Sequence, residues 1–227
     1  MENKDVTMKS IALIHTVKSL ANTFDEKLRL GIPDEIKIHN LWDDFLANEP
    51  NEIGKFTINN RNRLFLDIKT AELTGADIIV TTCSTLTPIV DMIRPLIAVP
   101  LIAIDDEMAK KAVSYGGRLL ILATAFSTVE PTKTKIMVEA QKVGVTITLE
   151  HMVLQDAFAA LKAMDMEKHN KIICDSMKEI NQYDCIVLAQ ASMAHLEQVI
   201  NQITGCPTIS SPNLCIAQIK ETLRSLE

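Results

Sequence analysis

One cysteine in this sequence stands where a thiol can do chemistry. Cys83 follows the β-branched apolar run Ile78–Thr81 and precedes a helical pattern that starts near Ser84 and runs through Val90 and Ile93. A thiol at a helix N-terminus is stabilised as thiolate by the dipole and the unpaired N–H groups, which favours nucleophilic or proton-carrying chemistry at neutral pH. Small polar residues recur where other apolar runs end: His15-Thr16, Thr82 with Ser84-Thr85, Thr124 with Ser127-Thr128, and Gln190-Ala191-Ser192. In open parallel sheets ligands bind at the carboxyl ends of strands, where following helices present N–H donors to anions. A carboxylate suits these residues. For each Ser or Thr the competing reading is ordinary N-capping.

The elements that must position them alternate. Short apolar runs at Ile11–Ile14, Ile36–His39, Ile78–Val80, Leu101–Ile104, Leu119–Leu122, Val145–Leu149, Ile186–Leu188 and Thr208–Ile209 are separated by longer amphipathic stretches, which predicts βαβ units and parallel sheets. Helix stops are expected at Gly31-Ile32-Pro33 and at Gly144. At a shift of 107 residues, Asp77-Ile78-Ile79-Val80 lies on Asp184-Cys185-Ile186-Val187, Pro100 on Pro207 and Ile102 on Ile209; the two halves begin in agreement at a shift of 108, with Leu13-Ile14-His15-Thr16 on Ile121-Leu122-Ala123-Thr124. A repeat of this length predicts a duplicated supersecondary unit. The expected fold is α/β: two similar lobes, each a roughly four-stranded parallel sheet flanked by helices, related by a pseudo-twofold axis with a cleft between them. The first lobe is expected to span 1–104 plus 210–227, with the last helix returning across the hinge, and the second 105–209. A single doubly wound sheet is the alternative.

Composition narrows the function. With 47% hydrophobic and 23% charged residues the chain reads as an ordinary globular protein, and a net charge of −6 argues against a nucleic-acid partner. The N-terminus MENKDVTMKS has no apolar leader pattern, and the longest apolar run, Pro95–Ile104, is proline-interrupted and about half a membrane span. No membrane partner is expected. The five cysteines, Cys83, Cys174, Cys185, Cys206 and Cys215, form an odd set without a C-x-x-C pair, which predicts reduced thiols in the cytoplasm rather than disulfides or zinc. His39, His151 and His169 lack metal-ligand spacing, Asp105-Asp106-Glu107 reads as a helix cap, and Arg61 and Arg63 read as solvated charges that a second carboxylate would otherwise engage.

Against this background, Gly75-Ala76-Asp77-Ile78-Ile79-Val80-Thr81-Thr82-Cys83-Ser84-Thr85 resembles the first cysteine motif of the aspartate/glutamate/hydantoin racemase superfamily, which includes maleate isomerases and arylmalonate decarboxylases. Ala123-Thr124 and the Ser210-Ser211-Pro212 turn extend the resemblance over nearly the whole chain. It implies a cofactor-independent, metal-free enzyme and a homo-oligomer, acting on a small carboxylate or amino-acid-like substrate. In such an enzyme one thiol removes an α-proton while a second delivers a proton to the opposite face. Ser84, Thr85, Thr124, Thr128, Ala191 and Ser192 would stabilise the developing enediolate, in the manner of an oxyanion hole.

The second cysteine motif departs from the pattern. Val187-Leu188-Ala189-Gln190-Ala191-Ser192-Met193 carries glutamine at the position of the second thiol, and the 107-residue shift independently places Cys83 on Gln190. Cys185 lies five residues earlier, about 16 Å away at strand rise. A glutamine donates and accepts hydrogen bonds but carries no proton between faces. Three outcomes follow: another acid, His15 or His195, replaces the thiol; the reaction needs only one thiol, as in decarboxylation or cis–trans isomerisation; or the protein binds a small acid without turnover.

Overall fold

In the computed structural model residues 8–32 and 35–226 are described. The first seven residues, where no leader is expected, and Pro33 of the expected helix stop lie outside them. Eight strands run through the chain: β1 (Lys9–His15), β2 (Ile36–Trp42), β3 (Ile78–Thr81), β4 (Leu101–Ala103), β5 (Gly117–Ala123), β6 (Ile147–Val153), β7 (Cys185–Leu188) and β8 (Thr208–Ser210). Between them lie α1 (Lys18–Gly31), α2 (Phe45–Ile53), α3 (Ile58–Glu72), α4 (Thr87–Ile93), α5 (Asp106–Tyr115), α6 (Val129–Val143), α7 (Gln155–Lys162), α8 (Met166–Met177), α9 (Glu197–Thr204) and α10 (Ser211–Ser225).

The strands form two separate parallel sheets of identical order, β2-β1-β3-β4 and β6-β5-β7-β8. The single doubly wound sheet is thereby excluded, and the two-lobed α/β architecture holds. The repeat reaches into the register: Ile11 pairs with Ile78 and Leu119 with Cys185, while Ile79 pairs with Leu101 and Ile186 with Thr208. It also explains the matching aspartates. Asp77 accepts a hydrogen bond from the Ser10 N–H and Asp184 from the Arg118 N–H, both at 2.7 Å, so each carboxylate serves the first turn of its central ladder.

Covered on both faces, β3 and β7 are buried along their whole length, as continuous apolar runs should be. The sheet-edge strands β2 and β6 are mostly half-buried or exposed instead, and both run past the expected ends, to Trp42 and Val153. Polar residues such as Asn40, Glu150 and His151 break the apolar signal there, although pairing with β1 and β5 continues over seven residues. The expected start of β6 at Val145 is also corrected. Gly144 closes α6 in a left-handed conformation and the Val145 N–H bonds back to Ala140, so the strand begins only at Ile147.

The helices that follow the two fourth strands change sides. Met108, Ala109, Ala112 and Val113 of α5 pack on Leu119, Ile121 and Val187 of the second sheet, whereas Cys215, Ile216, Ile219 and Leu223 of α10 pack on Ile11, Leu13 and Val80 of the first. Each fully buried Val, Leu, Ile or Met side chain among them contributes about 1.5–3 kcal/mol. Gly31 permits the close approach of α1 to α10, because a Cβ there would stand 2.6 Å from Ile216 Cγ2.

Candidate active site

A parallel sheet of order 2-1-3-4 has its topological switch point between its first and third strands, and the crevice beyond their carboxyl ends is where such folds bind ligands. The protein has two such crevices. In the first lobe the last ladder pair is Ile14 with Thr81, so two residues further on Thr16 lies level with Cys83. In the second the last pair is Leu122 with Leu188, which sets Thr124 level with Gln190. Cys83 and Gln190 share an extended backbone, with φ/ψ of −135°/122° and −134°/135°. Each is followed by a 3₁₀ turn, Ser84–Leu86 or Ala191–Leu196. Regular helix therefore starts at Thr87, later than the expected Ser84, with Pro88 in its first turn where a missing N–H costs nothing. The Ser84–Leu86 turn touches the Phe126–Thr128 turn after β5, and Ala191–Leu196 touches α10, so strand-end segments of both lobes meet at one junction.

In the first crevice Cys83 is half-buried, Ser84 and Thr85 are buried, and Thr16 is 3% exposed with its hydroxyl unpartnered among the described residues. His15 lies behind them, fully buried. Its Nδ1 is 2.8 Å from Thr82 Oγ1 and its Nε2 is 2.9 Å from Asn40 Oδ1. Because an amide oxygen only accepts, Nε2 carries the proton and Nδ1 accepts from the Thr82 hydroxyl. Burial lowers the His15 pKa, with Asn40 and Asp25 opposing, so the neutral ring is favoured. Both nitrogens are thus engaged, Nδ1 with Thr82 next to the thiol and Nε2 with Asn40.

In the second crevice the glutamine is not free. Gln190 Oε1 accepts from the Thr124 N–H at 2.6 Å and Gln190 Nε2 donates to Thr124 Oγ1 at 2.9 Å. Thr124 itself is fully buried. Thr128 donates to the Ala125 carbonyl at 2.9 Å, closing its own turn, while Ser127, Ala191 and Ser192 are half-buried. His195 is hydrogen-bonded to Asn170 of α8 at 2.9 Å.

The lobes are pinned beside these crevices by a charge network that sequence reading did not find. Lys135 of α6, 3% exposed, lies 2.6 Å from Asp106 and 3.0 Å from Asp91 of α4, and Arg94 reaches Asp106 at 2.8 Å. The signal was present: Thr132, Lys135, Ile136, Glu139 and Ala140 form one buried face of α6. Asp106 is no helix cap. Its carboxylate accepts from the Ala103 N–H and pairs with both cations, so that, although burial pushes its pKa up, Arg94 and Lys135 bring it below the usual range. Asp105, fully buried and bonded to the Thr87 hydroxyl, is pushed up to about 7, chiefly by burial. Neither aspartate caps α5 with its side chain. Arg61 is exposed, and Arg63 is paired with the buried carboxylate of Asp43.

The remaining thiols differ from Cys83 in setting. Burial raises Cys185 to about 12 and Cys215 well above its ordinary value, and raises Cys174 and Cys206 as well. Among the described residues no group of three His, Cys, Asp or Glu side chains is arranged to hold a metal ion, and no helix is long and apolar enough to cross a membrane.

Residues 56–219 match the family model described as Asp/Glu/Hydantoin racemase. Similar solved structures include a glutamate racemase from Bacillus anthracis, with TM-score 0.70, 14% identity, and coverage of 96% of this chain and 82% of that one. An aspartate racemase from Picrophilus torridus gives TM-score 0.67, 17% identity and 94% coverage of both chains. An allantoin racemase from Klebsiella pneumoniae gives TM-score 0.64, 18% identity, and coverage of 96% and 88%. At such identities the likeness carries the fold. No curated protein matches by sequence.

Proposed function

Because the chain belongs to the Asp/Glu/hydantoin racemase family, we propose that it is a cofactor-independent racemase/isomerase-type enzyme acting on a small carboxylate or amino-acid-like substrate through one thiol, Cys83. Reduced thiols in the cytoplasm and a homo-oligomeric assembly belong to the same proposal. One observation carries the single-thiol reading: at the position of a second thiol stands an amide whose oxygen and nitrogen are both engaged by Thr124, and an amide has no proton to exchange at neutral pH.

One thiol supplies only the half of two-thiol chemistry that runs on one face: α-proton exchange with retention, or the single protonation that a decarboxylation or an isomerisation needs. Cys83 as thiolate takes the proton from the carbon next to the carboxylate, the C–H electron pair moves into the carboxylate as an enediolate, and the same thiol returns a proton to the same carbon. A carbon acid next to a carboxylate is far weaker than any thiol, so the enediolate needs donors that strengthen as charge develops. The Thr16, Ser84 and Thr85 hydroxyls beside Cys83 supply them. His15, with both nitrogens committed, positions Thr82 and does not act as the missing acid.

Proton NMR in heavy water tests this on a panel of amino acids, hydantoins, maleate and substituted malonates. Deuterium entering an α-carbon without inversion is the expected result. Racemised product would require a second proton carrier and would overturn the one-thiol reading; binding without any exchange, decarboxylation or isomerisation would make the protein a small-acid binder.

A further inference from the structure

We infer that the paired carboxyl groups of Asp43 and Asp67 are the proton reservoir of Cys83, joined to it by the Thr16 hydroxyl. The inference rests on the reading of Cys83 as the proton-carrying thiol.

Three neighbouring strand ends place these groups in one row. The His15–Trp42 pair, continued by the Asp43 N–H on the His15 carbonyl at 2.8 Å, sets Asp43 level with Thr16, as Thr16 is level with Cys83. At the usual spacing of about 4.8 Å between strands, the row is about 10 Å long. All three residues lie on one face of the sheet. Ala12 and Ile14 pack with Leu64 and Ile68 of α3, and Cys83 packs against that cluster. Thr16 continues the alternation of Ala12 and Ile14, and the Asp43 carboxylate meets Arg63 and Asp67 of the same helix. Asp43 is 5% exposed and takes the Arg63 guanidinium and the Phe45 N–H, so the proton of the pair resides on Asp67. Burial first, and then the Asp43 carboxyl, push Asp67 up to about 7, with Arg63 opposing. Between carboxyl and thiol, the Thr16 hydroxyl is buried and unpartnered among the described residues, a state that buried polar atoms rarely keep without a role or a water.

The second lobe supplies the control. The bond equivalent to that of Asp43 runs from the Leu154 N–H to the Ala123 carbonyl, also at 2.8 Å, so its row reads Leu154, Thr124, Gln190. In one shared register, a carboxylate stands in the row that has the thiol and an aliphatic side chain in the row that has none. In the relay the Cys83 S–H proton passes to the Thr16 oxygen while the Thr16 O–H proton passes to the ionised pair and comes to rest on Asp67. One thiolate and one neutral carboxyl thus replace one thiol and one carboxylate. Run in reverse, the same route returns a solvent proton to the thiol, while Ser84 and Thr85 remain as donors to the enediolate.

The test is the pH profile of Cys83 alkylation by iodoacetamide in the full chain, without substrate. In the wild type the rate should rise in two steps, the first near pH 7 with the pair and the second at higher pH, because interacting groups titrate together. Asp67→Asn, which keeps shape and a hydrogen bond to Asp43 but has no proton to give, should leave one step. Thr16→Val should uncouple thiol and pair in the same way, and Thr16→Ser, with its hydroxyl kept, should retain two steps. Carbon-13 NMR of the unaltered chain checks the coupling without any substitution: the Asp67 carboxyl and the Cys83 Cβ should share an inflection. A one-step wild-type profile, or a Cys83 Cβ that is blind to Asp67, overturns the inference. With substrate, Asp67→Asn should slow α-proton exchange by about a hundredfold at unchanged KM. Coupled titration with no exchange on any substrate keeps the reservoir and removes the enzyme reading; exchange undiminished in Asp67→Asn, with a one-step profile, does the reverse.

Discussion

The two lobes are built alike to the level of individual ladder pairs, yet they end in opposite chemical states. The first presents a half-buried thiol level with an unsatisfied threonine; the second presents an amide that has closed on its threonine. What is shared between them, the register, the buried central strands and the aspartates that take the Ser10 and Arg118 N–H groups, is held by ladder bonds and burial. What differs lies two residues beyond the last ladder pair, where no backbone bond constrains the side chain. A duplicated fold can therefore keep its architecture while the side chains at its two strand ends diverge.

The contrast is broken most severely by Cys83→Ser, which should reduce α-proton exchange by about 10²–10⁴-fold, the usual contribution of a general acid–base group. Heavy-water NMR reads it, and undiminished exchange would show that the thiol takes no part. The reverse change, Gln190→Cys, makes the lobes alike and should introduce inversion of configuration, followed by circular dichroism of the product. Persistent retention in that variant would mean that more than the missing thiol separates the two crevices.

The junction between the lobes is tested by Lys135→Met. With the ammonium gone, Asp106 keeps Arg94 as its one cation beside the Ala103 N–H, and breaking a buried pair in this way costs about 3–5 kcal/mol, visible as a lower urea midpoint. An unchanged midpoint would mean that the network does not hold the lobes together. The neighbouring Asp105 imposes a pH dependence of opposite sign to that of Asp106. With Asp105 at about 7 when folded and about 4 when unfolded, the folded chain keeps a proton that the unfolded chain has released. Stability should thus fall as pH rises from about 4 to about 7, and Asp105→Asn should flatten that slope. Asp106, lowered when folded, contributes stability that is present above about pH 4 and lost below it. The smallest effect expected is in alkylation. Mass-mapped iodoacetamide labelling should modify Cys83 at least about tenfold faster than Cys174, Cys185, Cys206 or Cys215, whose thiols burial pushes up; equal rates would remove the distinction between them.

Much of this molecule was legible in one dimension. Apolar runs marked the central strands, the 107-residue repeat matched two sheets of equal order, and the same shift lays Gln190 on Cys83. These features are local or periodic, and burial on both faces writes them directly into residue type. The edge strands β2 and β6 were read short at their carboxyl ends because polar residues such as Asn40, Glu150 and His151 break the apolar signal there. Tertiary structure alone decided which partners the polar side chains meet. Gln190 meets Thr124 across 66 residues of chain, His15 meets Thr82 across 67, and Lys135 meets Asp91 across 44. Hydrogen bonds of that span are chosen by how sheets and helices pack, and a glutamine free to face a ligand has the same sequence as one whose amide is already taken.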